Sequence, residues 1–351
     1  MKPTKSSRLI WFPTGGHIGD AVMILSLFAE IIRHTPEVQI TYLVRRNAPL
    51  ITELAASYPN ITVVTVPYGV VRALLVIARL FCYRSIVIVP PAWGTHPIVI
   101  KITASLLRLR GDLVVGFRDA GKWQPYKKVI TYGRTKPYID SLREVAACAG
   151  LVTEPEGSFP KLEIASSLPT NFPFINRPYI VVHPFPHMST RKTIPLRRWK
   201  QILHRFQQTH PSLGLVITGA AVDFNSMEEL SRDLVSENIF LAVSLPLPQV
   251  AGMIAHAELY VGVDTGPTHI AGVLHAPSVI LAQQNEPLWL PTYNPNALLI
   301  WESANCTCRI PDVECEVWED GNPYRRCVYD LSNDTIYATI DAQLADKTTP
   351  Q

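Results

Sequence analysis

The chain carries little excess charge of either sign. Its 32 Lys and Arg stand against 29 Asp and Glu, a net of +3. That balance is too even to imply a nucleic-acid partner, though it is compatible with anionic substrates and with loose contact to an anionic membrane. Long uninterrupted apolar runs are also lacking. The most apolar stretch, 70–90, is broken by Arg72, Arg79 and Arg84 and split at Tyr83-Arg84-Ser85 into a helix-like and a strand-like piece, a poor transmembrane span. The helix-like piece reads either as an ordinary amphipathic core helix or as one whose arginines touch a membrane surface. Residues 1–7 are polar and precede only a short apolar strand, so they do not read as a signal peptide, and a cytoplasmic chain is expected. No Asp-x-Asp pair is present to hold Mg²⁺ on a diphosphate. No Gly-x-Gly-x-x-Gly follows a strand, which counts against a dinucleotide oxidoreductase. Internal repeats and low-complexity tracts are absent too.

What is present is a well-buried globular sequence. With 47% hydrophobic and 17% charged residues, disorder is excluded. A length of 351 residues suits two domains. Apolar or β-branched runs at 9–12, 40–44, 61–66, 86–89 and 113–115 alternate with helical stripes, among them Val22, Leu25, Ala29 and Ile32 on one face. A later stripe, Leu142, Val145 and Ala149, stops at Gly150, a C-cap residue. The stretch 153–178 lacks periodicity and reads as an interdomain connection. The rhythm then restarts, with strands at 179–182, 213–218, 240–242, 259–263 and 278–281. Helices are expected around Trp199, Leu203 and Phe206, over 227–235, over 248–256 and from Gly266 onward. Strand–helix alternation implies an α/β fold of parallel sheets with helices on both faces, and ligands beyond the carboxyl ends of the strands.

Two loops sit at such strand ends. Gly15-Gly16-His17-Ile18-Gly19-Asp20 follows the first strand, and Asp264-Thr265-Gly266-Pro267-Thr268-His269 follows the run 259–263. Each offers unbonded N–H groups and a helix dipole to an anion. Each carboxylate has two readings. Asp20 is an N-cap or a general base, and Asp264 is an N-cap or a ligand of sugar hydroxyls. Lys192, in Met188-Ser189-Thr190-Arg191-Lys192, is part of a solvated basic loop or a stabiliser of departing phosphate charge. Asp223 caps the next helix or accepts ribose hydroxyls. His183 is equally a packed residue or a ligand.

The string 263–272, Val-Asp-Thr-Gly-Pro-Thr-His-Ile-Ala-Gly, resembles the signature of the bacterial heptosyltransferases, glycosyltransferase family nine. The likeness continues through Leu281 and Pro287-Leu288-Trp289-Leu290-Pro291. Gly19-Asp20-Ala21-Val22-Met23 is similar to the family's opening segment, and the order Lys192, Pro195, Trp199 to its central one. The resemblance implies a GT-B architecture of two Rossmann-like domains facing across a cleft. Residues 1–160 would bind acceptor, 175–330 would bind nucleotide-sugar and carry a Cys-rich tail, and a terminal helix in 331–351 would cross back to the first domain. It further implies inverting, metal-independent transfer of heptose from ADP-heptose to a hydroxyl of the lipopolysaccharide core, in a cytoplasmic enzyme peripheral at most to the inner membrane. Asp20 is the implied base. Ser189, Lys192, Asp223, Asp264, Thr265, Gly266, Pro267, Thr268 and His269 are the implied donor contacts. Gly16, His17 and Gly19 form the acceptor-side loop, where Gly15-Gly16-His17 and Ser26 depart from the family pattern. A protein O-heptosyltransferase of the autotransporter-modifying type, and a non-catalytic nucleotide-sugar binder, stand as alternatives.

Cys306, Cys308, Cys315 and Cys327 are spaced C-x-C-x6-C-x11-C. Four thiolates suit a tetrahedral structural zinc or iron, with free thiols as the other reading. A metal there would pin the tail and take no part in transfer, for which no cofactor is expected.

Overall fold

A computed structural model of the protein describes residues 8–12, 17–67, 76, 78, 84–90, 97–118, 123–131, 136–152, 159, 161–164, 166–186, 189–283, 289–302 and 315–346. The chain divides into two compact units, Met1–Ala165 and Ser166–Gln351.

The first unit is built on six parallel strands: β1 (Arg8–Trp11), β2 (Gln39–Val44), β3 (Ile61–Thr65), β4 (Ile86–Val89), β5 (Leu113–Phe117) and β6 (Lys128–Ile130). Their spatial order is β3-β2-β1-β4-β5-β6. The chain leaves β1 in one direction and returns to place β4 on its other side. The crevice at the carboxyl ends of β1 and β4 is the topological switch point, where such sheets hold ligands. Helix α1 (Ile18–His34) follows β1 and is buried on every side from Ala21 to Ile31, not along one stripe. Trp11 and Tyr42 each meet its Phe28 edge-on at 5.3 Å. Total burial traps Glu30, whose carboxylate pairs with Arg143 at 2.5 Å. Arg143 lies on α4 (Tyr138–Cys148), and its guanidinium also covers the Phe159 ring at 4.8 Å. That helix ends as its sequence implies, with Gly150 in the left-handed region at φ 78° and Leu151 N–H bonded back to Ala146. Two further helices, α2 (Ala48–Leu54) and α3 (Pro97–Arg110), complete the described part of this unit.

The second unit repeats the plan. Strands β7 (Tyr179–His183), β8 (Gly214–Gly219), β9 (Ile239–Val243), β10 (Leu259–Val263), β11 (Ser278–Leu281) and β12 (Ala297–Ile300) lie parallel in the order β12-β11-β10-β7-β8-β9. Its switch point is thus between β7 and β10. Both strands, like β11, are buried along their whole length, as a sheet covered on two faces requires. Around them run α5 (Leu196–Thr209), α6 (Phe224–Ser231), α7 (Leu247–Ala255), α8 (Gly266–Val273), α9 (Arg326–Tyr329) and α10 (Asn333–Asp346). The tail belongs to this core: Cys327, Val328, Leu331, Ile336, Tyr337 and Ile340 are buried with Trp199, Phe206 and Ile217. Arg205 of α5 lies 4.0 Å over the ring of Tyr337 and binds Asp334 at 2.6 Å. The glycosyltransferase-like expectation of two Rossmann-type domains therefore agrees with both sheets.

The aperiodic stretch before β7 is more than a tether. Phe172 packs edge-on against Tyr179 (5.0 Å) and Phe240 (5.4 Å), and Phe174 lies beside Gly214, where a Cβ would meet its ring at 2.8 Å. Among the described residues no helix is long and apolar enough to cross a membrane.

Removing one partner of a buried ion pair strands the other charge, at about 3–5 kcal/mol, whereas replacing both by apolar groups is often neutral. Arg143→Met should therefore lower the urea midpoint sharply, and Glu30→Leu combined with Arg143→Met should recover most of the loss. Additive damage in the double variant would contradict this account.

Candidate functional site

The site begins at the end of β10. Asp264 follows Val263, the last residue of that buried strand, and its side chain is 5% exposed. It does not cap the helix that follows. The N-cap of α8 is Thr265, whose own hydroxyl donates to Val263 O at 3.2 Å. Thr268 lies deeper, its hydroxyl donating to the same carbonyl and meeting Tyr260 OH at 3.0 Å. With these hydroxyls satisfied locally, the Asp264 carboxylate turns to Lys192 and His269. Lys192 Nζ donates to Oδ2 at 2.5 Å, and His269 Nε2 lies 3.7 Å from Oδ1. Burial by itself would raise the Asp264 pKa. His269 and the Lys192 ammonium outweigh it and hold the group down at about 2. His269 Nδ1, on the far side of its ring, is buried with no hydrogen-bond partner among the described residues.

Lys192 is carried by a single 3₁₀ turn, Thr190–Lys192, after β7. Ser189 caps it, its Oγ accepting from Arg191 N–H at 3.2 Å. Three longer ties fix the turn. Gln283, just beyond β11 and 3% exposed, donates to Arg191 O at 2.7 Å. Thr190 Oγ1 donates to Pro323 O at 2.8 Å, and Arg191 pairs with Glu316 at 2.5 Å. Pro323 and Glu316 belong to an antiparallel hairpin, β13 (Glu316–Glu319) and β14 (Asn322–Arg325). Its two-residue loop is Asp320-Gly321, both in the left-handed region at φ 51° and 75°, the geometry favoured by Asp-Gly in tight hairpins. Arg197 clamps the same hairpin through two bonds to Glu319, at 2.7 and 2.9 Å.

At the switch point's other strand, His183 ends β7 as a structural residue. Its Nδ1 is 2.9 Å from both the carbonyl and the hydroxyl of Thr218. A carbonyl only accepts, so Nδ1 carries the hydrogen. Burial pushes its pKa down to about 4. Asp223, after β8, does not cap α6 with its side chain; its Oδ2 accepts from Ala220 N–H at 2.8 Å. Gly219, between them, leaves no space for a side chain: a Cβ would meet Met227 Sδ at 2.7 Å.

Thus Lys192, Asp264 and His269 come together, Ser189 shapes their loop, and Thr265, Gly266, Pro267 and Thr268 form the helix start beside them. In the first unit, His17 is the exposed N-cap of α1, Gly19 is buried, and Asp20 occupies the third position of the helix. Gly16 lies outside the described residues. So do Cys306 and Cys308 of the expected metal set. Cys315 and Cys327 are both buried at the base of the hairpin, where Arg326 N–H bonds to Cys315 O at 2.9 Å and Arg325 Nη1 to Cys315 Sγ at 3.3 Å. Among the described residues no three His, Cys, Asp or Glu gather as a metal site requires, so the expected metal finds no support there. Gln283, Glu316 and the hairpin were not anticipated. Asp320-Gly321 between two short runs was the signal for the hairpin; nothing in the sequence marked Gln283.

The sequence pattern of glycosyltransferase family 9 (heptosyltransferase) matches residues 102–315. The chain belongs to that family. The matched range holds Lys192, Asp223 and 264–269 but not Asp20. Lipopolysaccharide heptosyltransferase 3 of Escherichia coli K12 is 25% identical over 105 residues, 30% of each chain, so the chain aligns with under a third of that relative's length. Among the solved structures that share the fold are two glycosyltransferases of Escherichia coli. E. coli ADP-heptose LPS heptosyltransferase II superposes with a TM-score of 0.66 at 17% identity, over 99% of this chain and 100% of the other. The iron-containing dodecameric glycosyltransferase TibC of enterotoxigenic E. coli gives 0.56 at 15% identity, over 99% and 78%.

The two titrating groups of this family 9 site predict an acid response in two stages. Unfolded, His183 takes a proton near pH 6.5; folded, it does so only near 4. Stability should therefore fall as pH drops through that window, with a slope of up to about 1.4 kcal/mol per pH unit. Asp264 stabilises the fold while ionised; its contribution is complete above the usual carboxylate value of 3.8 and is lost as pH falls toward 2. In urea unfolding at stepped pH, His183→Asn should flatten the upper window and leave the lower one. An unchanged slope between pH 6.5 and 4 would assign that response to another group.

Proposed function

We infer that this protein transfers a heptose from ADP-heptose to an acceptor hydroxyl, with inversion. The observation that carries the reading is the Lys192–Asp264 contact at the carboxyl edge of β10, in a chain of family 9. An ammonium held at a switch point beside a helix start is where a sheet of this topology receives a diphosphate. The structural relative named for ADP-heptose supports the donor. Lys192 and the N–H groups at the start of α8 would meet the diphosphate as its charge grows on departure. Asp264 and His269 would face the sugar end, a carboxylate being repelled by phosphate and suited to hydroxyls. Asp223 would take the ribose.

In the transfer, the acceptor oxygen bonds to the anomeric carbon while the bond from that carbon to the β-phosphate oxygen breaks. The acceptor proton passes to Asp20, and ADP departs with the bonding pair. Asp20 lies in the first turn of α1, just beyond the carboxyl end of β1, where a sheet of this topology presents groups to a ligand. Leaving-group charge is met by Lys192, and the sequence has no Asp-x-Asp pair to recruit Mg²⁺ for that task; on this basis the transfer is assigned as metal-independent. The acceptor is assigned as a lipid-linked core oligosaccharide, in keeping with the lipopolysaccharide enzymes among its relatives. A structural zinc or iron on the four tail cysteines belongs to the same proposal, TibC being iron-containing; elemental analysis of purified protein, with Cys315→Ser and Cys327→Ser variants, tests it.

Mass spectrometry after incubation with ADP-heptose should show a heptose added to a core-oligosaccharide acceptor. Addition to a polypeptide instead would move the acceptor assignment to protein. Asp20→Asn should cut turnover by about 10²–10⁴-fold while ADP binding by calorimetry stays intact. Lys192→Ala should weaken ADP binding about tenfold, about 1.4 kcal/mol for one lost charge-assisted contact. Full turnover in Asp20→Asn would remove the base assignment, and undiminished ADP affinity in Lys192→Ala would remove the donor site.

A further inference from the structure

The described part of the first unit concentrates its large exposed apolar side chains in one segment: Ile102, Leu106, Leu109, Trp123 and Val129. Three of them ride on α3. Its inner face, Ile100, Ala104 and Leu107, is buried against Val87 and Val114 of the sheet. Its outer face carries Ile102, Leu106 and Leu109, spaced four and three apart and so aligned in one stripe. These are 43%, 48% and 83% exposed. A helix apolar on both faces is expected only where something covers the second one.

The charge around this stripe is one-sided. Residues 84–131 contain eight Lys and Arg against two Asp and no Glu. Asp112 is buried, accepting from Ser85 N–H at 2.6 Å and from Arg110 at 2.7 Å, so it adds no negative surface. Arg108 is exposed and binds Tyr126 O at 3.2 Å, which ties the end of α3 to the segment bearing Trp123, Lys127 and Lys128. Arg84 lies against the same helix end, beside Gly111.

We propose that the outer face of α3, with Trp123 and the nearby Arg84, Arg108 and Lys127, docks the protein on an anionic phospholipid surface. Leucines and isoleucine enter the acyl boundary, the tryptophan sits at headgroup level, and the cations stay among the phosphates. Charge selects this occupant. A second copy meeting the same face would bring like charges together, and nucleic acid would leave the leucines without an apolar partner. The proposal deepens the lipid-linked acceptor of the preceding section but is measured without any transfer.

The test is co-flotation of the full-length protein with vesicles of phosphatidylglycerol and phosphatidylethanolamine, and separately of phosphatidylcholine. Binding is expected to the first, to fall with added salt, and to shift Trp emission to the blue. Leu106→Ser combined with Leu109→Ser should weaken it at least about tenfold, the loss of two inserted side chains, with the circular dichroism spectrum and ADP binding unchanged. Arg108→Glu should weaken it on anionic vesicles as well. Equal binding to both vesicle types, no binding, or an undiminished double Ser variant overturns the proposal. So does a concentration-dependent dimer that the double variant abolishes, which would make the stripe an interface between copies. Vesicle binding without any heptosyl transfer would leave this surface standing and remove the function proposed above.

Discussion

Asp264 stays ionised inside the second unit because His269 and the Lys192 ammonium reach it. An isolated carboxylate at that depth would cost several kcal/mol, and the neutral acid would be favoured by burial. The ammonium comes from a turn of three residues, too short to hold a geometry by its own hydrogen bonds. So the electrostatics at the end of β10 depend on residues 92 to 133 positions along the chain from the turn they hold. Gln283 holds the turn from the sheet side. Thr190 and Arg191 hold it from the hairpin side, through Pro323 and Glu316. An anion arriving at Lys192 would take part of that ammonium from Asp264, leaving His269 as the carboxylate's remaining neighbour. The pair is therefore a structural clasp and, on the function proposed above, the element the donor's diphosphate would rearrange.

The hairpin earns its position through geometry more than through the strength of any one contact. Arg191–Glu316 and Arg197–Glu319 are partly exposed, and pairs of that kind contribute little singly. Their value lies in being shared. Glu319 accepts from Arg197 and also from Tyr329 OH at 2.6 Å, so α5, the hairpin and α9 meet on one carboxylate. Arg198 continues the set, bonding to the carbonyls of Tyr329 and Leu331 and to Asn333 Oδ1. A tail that looks peripheral in sequence thus closes the second core and steadies the lysine turn at once.

The sheet strands were legible because parallel strands covered on both faces must be apolar throughout. The runs at 259–263 and 278–281 coincide with β10 and β11. Two of the four edge strands, β6 and β12, were not, while the other two coincide with the runs at 61–66 and 240–242. Lys128-Val129-Ile130 exposes two of its three residues, and Ala297–Ile300 has no fully buried residue, so neither shows the pattern that reveals a central strand. Lysine at an open edge also discourages pairing with another chain, which hides such a strand from a hydrophobicity reading. The loop motifs were legible as places but not as contacts. Asp264 also read as a cap; only the structure shows its hydroxylic neighbours bonded to the backbone and the carboxylate left for Lys192 and His269. The stretch before β7 read as a connection because Phe172 and Phe174 have no period, yet each fills a space in the second unit.

Net charge alone does not say where the positive charge lies. A total of +3 is a sum over the whole chain, and attraction to a charged surface depends on placement within about a Debye length. Residues 84–131 hold far more positive charge than that total, which leaves the rest of the chain slightly acidic. The same segment carries α3, whose inner face the sheet needs and whose outer face it does not. Sheet packing explains Ile100, Ala104 and Leu107; it gives no reason for Leu109 to be leucine at 83% exposure. Selection for the fold alone would let such a position become polar at no cost in stability, since its side chain buries almost nothing. An apolar stripe within a cationic segment is therefore not explained by the fold, and the anionic bilayer surface proposed for it would meet both its apolar and its charged half.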